Sequence, residues 1–382
     1  MRVLLVNTLG ADPEGGGAER YVGDLARGLV SRGHEVHLLA AFPGRAGREH
    51  GAPDTVVVHG GDWRHSPTRR VRNRLGDLVA RPTRLLEAAV DAFRPDLVHT
   101  SNLPGITTAV WEAARRLGVP VVHTLHDYYL LCPRSALVRR DGSPYRGRSP
   151  YRDLRTRRLA RWTGAVAHVV SGSEHLWRTH ARLFPAARHH VVRLPLVPVA
   201  EERLAPPRTP PHVLGYLGAL ERTKGVEALL EAAPRLAELG VTLQLAGDGR
   251  LRRLVERAAG EAVRYTGPEY GRAKLAFYES TDVGIVPSRW DEPSGPPYVV
   301  CEWLAAGRPV LASTRGGLAE AQLLPGVLPV EPDADGIVDA VRALVAEGPW
   351  RDALAAVPVV TDDRDLARWL DDHERVYAEA AG

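Results

Sequence analysis

Short apolar runs recur along this chain, and the stretches between them return to apolar residues every third or fourth position. The first run, RVLLV at 2–6, reads as a buried parallel strand. A helix is expected from near Ala18, with Val22, Leu25, Ala26 and Leu29 on one face; Gly33 ends it and EVHLLA at 35–40 is the next strand. Further strands are predicted at 55–59, 96–100, 120–124, 167–171 and 190–194, with helical stretches such as 84–93 and 107–117 between them. Six prolines then fall between Pro195 and Pro211, as expected of a stiff linker. Beyond it the pattern restarts, with strands at 213–217, 241–245, 264–266, 283–287 and 309–312 and a helix from Val226 towards Leu239. A last helix, 364–379, carries Leu366, Trp369, Leu370, His373 and Val376 on one face. Alternating β and α elements imply an α/β fold with two doubly wound, Rossmann-like β/α/β domains. The expected bounds are 1–195, a linker at 196–211, a second domain at 212–363, and a terminal helix at 364–382.

Ligands of such sheets bind at the C-terminal ends of the strands, so the residues there are the candidates. After the first strand come Gly15, Gly16 and Gly17 at a helix start, where a backbone can approach a phosphate. The GxGxxG spacing is missing, so a dinucleotide site is not expected, and an ordinary turn also uses glycine. After the 120–124 strand come His123, His126 and Asp127. The two histidines are three apart and would face opposite ways on a strand, a poor metal pair. A single histidine beside Asp127 suits a hydrogen bond to a ligand; a backbone-bonded loop histidine is the other reading. Tyr128, Tyr129 and Leu131 read as packing residues.

The segment WDEPSGPPYVVCEWLAAGRPV at 290–310 holds the densest chemistry. Pro296 and Pro297 suit a helix start, and Gly307 with Arg308-Pro309 suits its end. The amides of Tyr298 and Val299 then make an anion site at the positive end of the helix dipole. Glu302, one turn deeper on the same face, suits a ribose diol, and Glu292 in the preceding loop can reach a sugar. Lys224 lies in a strand-to-helix loop at the same edge, where an ammonium neutralises a diphosphate. A capped amphipathic helix and a surface lysine would account for the same residues.

Composition narrows this reading. The chain has 382 residues, 44% of them apolar, enough for two cores. Its two cysteines, Cys132 and Cys301, form no CxxC, which excludes a disulfide scaffold or cysteine zinc site and fits a reducing cytosol. No signal peptide and no run of 18 apolar residues is present, so a cytoplasmic location is expected. Lys224 and Lys274 are the only lysines; the other basic residues are arginines, crowded at 64–84 and 134–161. Such clusters suit phosphates or an anionic membrane surface, here the inner face of a plasma membrane, or reflect compositional bias. Nucleic acid is not an expected partner, because no aromatic platform accompanies the arginines. The arginine-rich composition fits a high-GC bacterium.

Taken together, these motifs resemble the large retaining family of GT-B-fold glycosyltransferases called GT4, over nearly the whole chain. The residues that carry the resemblance are GGAERYV, HTLHDYYLLCP, LGALERTKG, LAGDG, the YTG before Pro268, VGIVPS and EPSGPPYVVCEWLAAGRPVLAS. It implies an acceptor-binding first domain, a sugar-nucleotide-binding second domain, and a C-terminal helix that crosses back to the first. By the same resemblance Lys224 contacts the diphosphate, Glu302 the ribose and Glu292 the donor sugar, with Gly295 among the donor-binding residues. The backbone at Glu269 reads the base, and Gly16 or Gly17 approaches the phosphates. His126 touches the sugar at the reacting face, with Asp127 towards the acceptor. The sequence departs from the family twice. Ala219 stands where the LGRL loop has arginine, with Arg222 as the expected replacement. Glu292 and Glu302 are separated by nine residues rather than the family's seven, which would place Ser294 at the sugar unless Gly295-Pro296 forms a bulge.

The function implied is transfer of a sugar from a nucleotide-diphosphate sugar to a glycan, lipid-linked precursor or natural product, with no cofactor and no metal. Asp333 and Asp335 mimic a metal-binding DxD but read as a polar turn. A sugar-nucleotide epimerase of the same fold and a non-catalytic nucleotide-sugar-binding subunit are the alternatives.

Overall fold

The computed structural model describes residues 1–11, 16–41, 55–57, 76–78, 84–139, 143, 145 and 149–382. The chain forms two compact units: Met1–Leu137 with Tyr145–Val192 and Arg368–Gly382, and Arg193–Ala367 with Val138–Pro144. The first unit is built from β1 (Arg2–Asn7), α1 (Gly17–Ser31), β2 (Glu35–Ala40), β3 (Thr55–Val57), α2 (Arg84–Phe93), β4 (Leu97–Thr100) and α3 (Ala109–Arg116). β5 (Val121–Leu125), α4 (Pro150–Leu159), β6 (Val166–Ser171), α5 (Glu174–His180) and β7 (Arg188–Val191) follow. Its seven strands pair in parallel in the order β3-β2-β1-β4-β5-β6-β7.

The second unit contains β8 (Val213–Leu217), α6 (Val226–Glu238), β9 (Thr242–Ala246), α7 (Arg252–Ala258), β10 (Val263–Tyr265), α8 (Gly271–Ser280) and β11 (Val283–Val286). It continues with α9 (Tyr298–Ala305), β12 (Val310–Ala312), β13 (Val327–Pro329), α10 (Ala334–Val345) and α11 (Glu347–Ala356). Six parallel strands run in the order β10-β9-β8-β11-β12-β13. Both sheets therefore reverse direction beside their first strand, between β1 and β4 and between β8 and β11. Loops leaving those strands splay apart and open a crevice there.

Burial on both faces explains the unbroken apolar strands. In β8, β9 and β11, Leu214, Leu243, Leu245 and Ile285 are buried against α6 and α10. Each fully buried Leu or Ile is worth about 1.5–3 kcal/mol. On the other side Trp303 of α9 packs under Phe277 and Tyr278 of α8. Leu196, Val199 and Leu204 of the proline-rich segment pack against that same core, so the segment is anchored to the second unit. The expected strand at 55–59 is described only as Thr55–Val57, and β13 was not expected, because its run ends in Pro329, which reads against a strand.

The last helix, α12 (Arg364–Ala381), belongs to the first unit from Arg368 onward. It lies against α1, where Gly28 makes the approach possible: a Cβ there would sit 2.4 Å from Leu370 Cδ2. Arg32, at the end of α1, donates to Asp371 at 2.6 Å and Glu374 at 2.5 Å, and His34 meets Glu374 at 2.8 Å. Within the helix Trp369, Leu370, His373, Val376 and Tyr377 are buried.

Candidate active site

In the second unit the loops at the switch point bring together residues that are far apart in sequence. The loop after β8 ends in a short 3₁₀ turn, Arg222–Lys224, and Gly225 turns left-handed into α6. Tyr216 holds this loop by donating to Ala219 O at 2.7 Å, and Leu220 N bonds Asp248 O at 2.9 Å. The loop after β11 carries Glu292, whose carboxylate accepts from Lys224 Nζ at 2.6 Å and from Ser288 Oγ at 2.5 Å. Glu292 is 5% exposed, and the ammonium also stands 5.3 Å over the Trp290 ring. Lys224 and Glu292 thus share one spot. Ser294, the residue that strict spacing would place at the sugar, is partly buried in the same loop.

Two features lead the chain from Glu292 into α9. Glu292 forms a parallel bridge with Gly316, and Gly317 N donates to Glu292 O at 2.6 Å. Gly295 then passes so close to this segment that a Cβ would lie 2.0 Å from Gly317 O, so no side chain fits there. Gly295-Pro296 is a cis bond, and Pro297 caps the helix. Val300 N and Cys301 N bond Pro297 O at 3.0 and 3.3 Å, so the amides of Tyr298 and Val299 precede the helix's own ladder. Gly307, with φ of +74°, ends the helix.

Glu302 lies on α9 as expected and is 8% exposed. Its partners come from α8, an element the sequence reading left out: Lys274 Nζ donates at 2.5 Å and Tyr278 OH at 2.9 Å. Lys274 and Tyr278 stand four apart on one helical face. The chain's only two lysines therefore each meet a buried glutamate of this site, Glu292 or Glu302. Arg222, the expected stand-in for the missing loop arginine, is exposed and pairs with Glu227 at 3.0 Å. Glu269 is half-buried after β10.

The expected DxD turn is corrected. Asp333 caps α10, its carboxylate accepting from Gly336 N at 2.8 Å, and Asp335 pairs with Arg235 at 2.5 Å. Helix capping accounts for Asp333 and an ion pair for Asp335.

In the first unit, Gly16 caps α1, and Gly17 begins it. β5 delivers His123 and His126 to different surroundings. His123 is buried on the α3 side, with Nδ1 2.9 Å from Thr100 Oγ1 and the ring 5.0 Å from Trp111. Thr124 faces the opposite way, towards Tyr21 of α1 and His99 of β4. His126, just past the strand, packs edge-on against Tyr21 with centroids 4.7 Å apart. Its Nε2 is shielded and has no partner among the described residues. Burial, then the neighbouring His373, pushes the His126 imidazole down to about 3, so the ring is neutral at pH 7. Asp127 accepts from Tyr129 N at 2.7 Å, and burial raises its carboxyl to about 6. Tyr128 and Tyr129 are buried packing residues, as expected.

Part of the arginine surface is also corrected. Arg155 is fully buried and pairs with Asp77 at 2.8 Å while donating to Tyr129 O at 2.6 Å; it is a core ion pair. Arg157, Arg158 and Arg161 are exposed, while Arg140, Arg146, Arg148 and the cluster from Arg64 to Arg81 lie outside the described residues. Among the described residues no helix is long and apolar enough to cross a membrane.

With this geometry in place, similarity to known proteins can be read. Residues 15–196 match the model of glycosyltransferase family 4, and residues 211–347 that of the group 1 glycosyl transferases. The chain is 32% identical to a D-inositol 3-phosphate glycosyltransferase of Xylanimonas cellulosilytica, over 93% of this chain and 90% of that one. It is 30% identical to a GDP-mannose-dependent alpha-mannosyltransferase of Mycobacterium tuberculosis, over 90% and 88%. In fold it resembles the sucrose-phosphate synthase of Thermosynechococcus elongatus, with a TM-score of 0.70 and 20% identity over 99% of this chain and 100% of that one. The two Rossmann-like units, the ordered motifs and these relatives agree: the chain belongs to glycosyltransferase family 4, with the GT-B fold.

Proposed function

We propose that this glycosyltransferase takes its sugar from a nucleotide-diphosphate sugar, retains the anomeric configuration, and needs no divalent metal. The observation that carries the reading is the pair of lysine–glutamate contacts at the switch point of the second sheet. Lys224 and the α9 amides offer positive charge where a diphosphate departs. Glu292 then meets the sugar, and Glu302 the ribose. A nucleotide-dependent relative supports the donor class.

In the proposed step the acceptor oxygen attacks the anomeric carbon from the face the diphosphate leaves. The carbon–oxygen bond to phosphate breaks, and the leaving phosphate oxygen takes the acceptor's proton. His126, neutral and with no partner for Nε2 among the described residues, offers one hydrogen bond to the sugar. No residue of the chain has to become covalently attached. The epimerase and binding-subunit readings differ in turnover: an epimerase interconverts sugars without releasing nucleoside diphosphate, and a binder turns over nothing.

A thermal-shift screen against UDP, GDP, ADP and dTDP tests the donor class. The cognate nucleotide at a hundred times its Kd should stabilise the protein by about 2.7 kcal/mol. Hydrolysis of the matching nucleotide sugar should then proceed unchanged in EDTA. Turnover lost in EDTA and restored by magnesium or manganese would overturn metal independence, and no shift with any nucleotide would overturn the donor class.

Glu302 gives a sharper check. Its carboxylate already accepts from Lys274 and Tyr278, yet two oxygens provide about four acceptor positions, so room remains for a ribose diol. Glu302→Ala should weaken the nucleotide by about 1.5–3 kcal/mol, with Glu302→Gln losing less. Because Lys274 loses its partner, the alanine variant should also melt lower. Calorimetric titration separates the two effects. A lower melting temperature with undiminished nucleotide affinity makes Glu302 a structural residue and moves the donor site elsewhere.

A further inference from the structure

The first unit holds a buried chain of hydrogen bonds whose two ends both lie on α12. Its direction follows from the backbone carbonyl at one end. Trp369 O can only accept, so His373 Nδ1 carries a proton and donates to it at 2.7 Å. Burial pushes the His373 imidazole down to about 4, so at neutral pH the ring holds that one proton. Its Nε2 is then an acceptor, and the Tyr21 hydroxyl donates to it. Tyr21 oxygen can accept from Thr124 Oγ1, 3.4 Å away. Thr124 in turn accepts from His99 Nε2 at 2.6 Å, and His99 Nδ1 accepts from Tyr377 OH at 2.6 Å. Every donor in this run has one acceptor, so a single proton arrangement satisfies the whole set.

The chain ties β4, β5 and α1 to the terminal helix and passes through the ring that walls His126. Tyr21 is 4% exposed. Its ring lies edge-on to His126, and Trp369 of α12 lies edge-on to it in turn, with centroids 5.0 Å apart at 88°. His126 follows Thr124 by two residues, so both its backbone and its ring are held by members of the same network. No hydrogen bond from a described residue fixes His126 Nε2. Its direction is left to packing, and the hydrogen-bonded chain sets that packing.

We propose that Tyr21 and His373 are positioning residues for His126: the chain closed by α12 fixes the Tyr21 ring, and that ring fixes the direction of His126 Nε2. The inference rests on the reading of His126 as the group that touches the donor sugar. It adds that the C-terminal helix, remote in sequence, governs the geometry of that contact. A positioning role predicts a loss in turnover without a loss in nucleotide binding, because none of these residues belongs to the unit that carries Lys224 and Glu302.

The experiment is a double-mutant cycle on hydrolysis of a nucleotide sugar, with UDP-glucose, GDP-mannose, ADP-glucose and dTDP-glucose as probes. Tyr21→Phe keeps the ring and removes the hydroxyl. It should lower kcat about tenfold while KM stays within about twofold. His373→Gln should act in the same direction. In a His126→Ala background Tyr21→Phe should cost nothing further, since the residue it positions is gone. If Tyr21→Phe fails to fold, Thr124→Val, of nearly equal shape, cuts the same chain and carries the same expectation. Losses that simply multiply in the double variant, or an unchanged kcat in Tyr21→Phe, overturn the positioning role and leave the reading of His126 standing. An unchanged kcat in His126→Ala alone overturns both.

Discussion

His126→Ala should lower kcat by about 10²–10⁴-fold while leaving nucleotide affinity nearly intact. The imidazole belongs to the first unit, whereas the groups proposed for the nucleotide belong to the second. Its loss therefore removes a contact to the sugar and none to the diphosphate. Burial keeps the ring neutral well below pH 7, so the contact is a hydrogen bond of a neutral imidazole and not an ion pair. For that reason turnover should not rise or fall with a histidine titration near pH 6.5. Steady-state kinetics beside a nucleotide titration would check this. Full turnover in a correctly folded alanine variant would refute the assignment.

Lys224→Met should be comparably damaging, by about 10²–10³ in kcat. The methionine keeps most of the stem and removes the charge that faces the departing diphosphate. Arg222, two residues before it, is engaged with Glu227 at 3.0 Å. The variant also leaves the Glu292 carboxylate with Ser288 in a nearly buried position, so some loss of melting temperature should accompany it. Lys224→Arg retains the charge and should recover part of the rate while restoring most of the stability. Lys224→Met turning over within about threefold of the parent would move the electrostatic role to the helix amides alone.

The apolar runs made both sheets legible, because a strand buried on two faces leaves an unbroken signature. Boundaries slipped where a polar residue continues a strand, as Asn7 does in β1, and most where polar residues open one: the strand expected at 190–194 is Arg188–Val191. His126 and Lys224 were legible as strand-end residues. The partners of Glu302 were not, since nothing local in sequence links α8 to α9; the rarity of lysine was the one available signal. His373 was legible only as a member of an apolar face, because a periodic pattern records burial and is silent about what a buried imidazole bonds to. Arg155 was misread as surface for the complementary reason: its partner Asp77 lies far away in sequence, and charge alone gives no sign of burial.

The return of α12 to the first unit has a consequence for how the protein comes into being on the ribosome. The first unit cannot be completed until α12 has been made, because its buried hydroxyls and imidazoles find their partners on that eighteen-residue helix. At about 5–20 residues per second, the stretch from Val192 to Ala381 takes roughly 10–40 s to make. Through that interval Tyr21 and His99 lack their helix partners, and the surface around Gly28 lacks Leu370. The first unit thus waits, with its floor open, while the second is synthesised. A chain stopped before α12 would leave the second unit's sheet entire and the first unit the incomplete one.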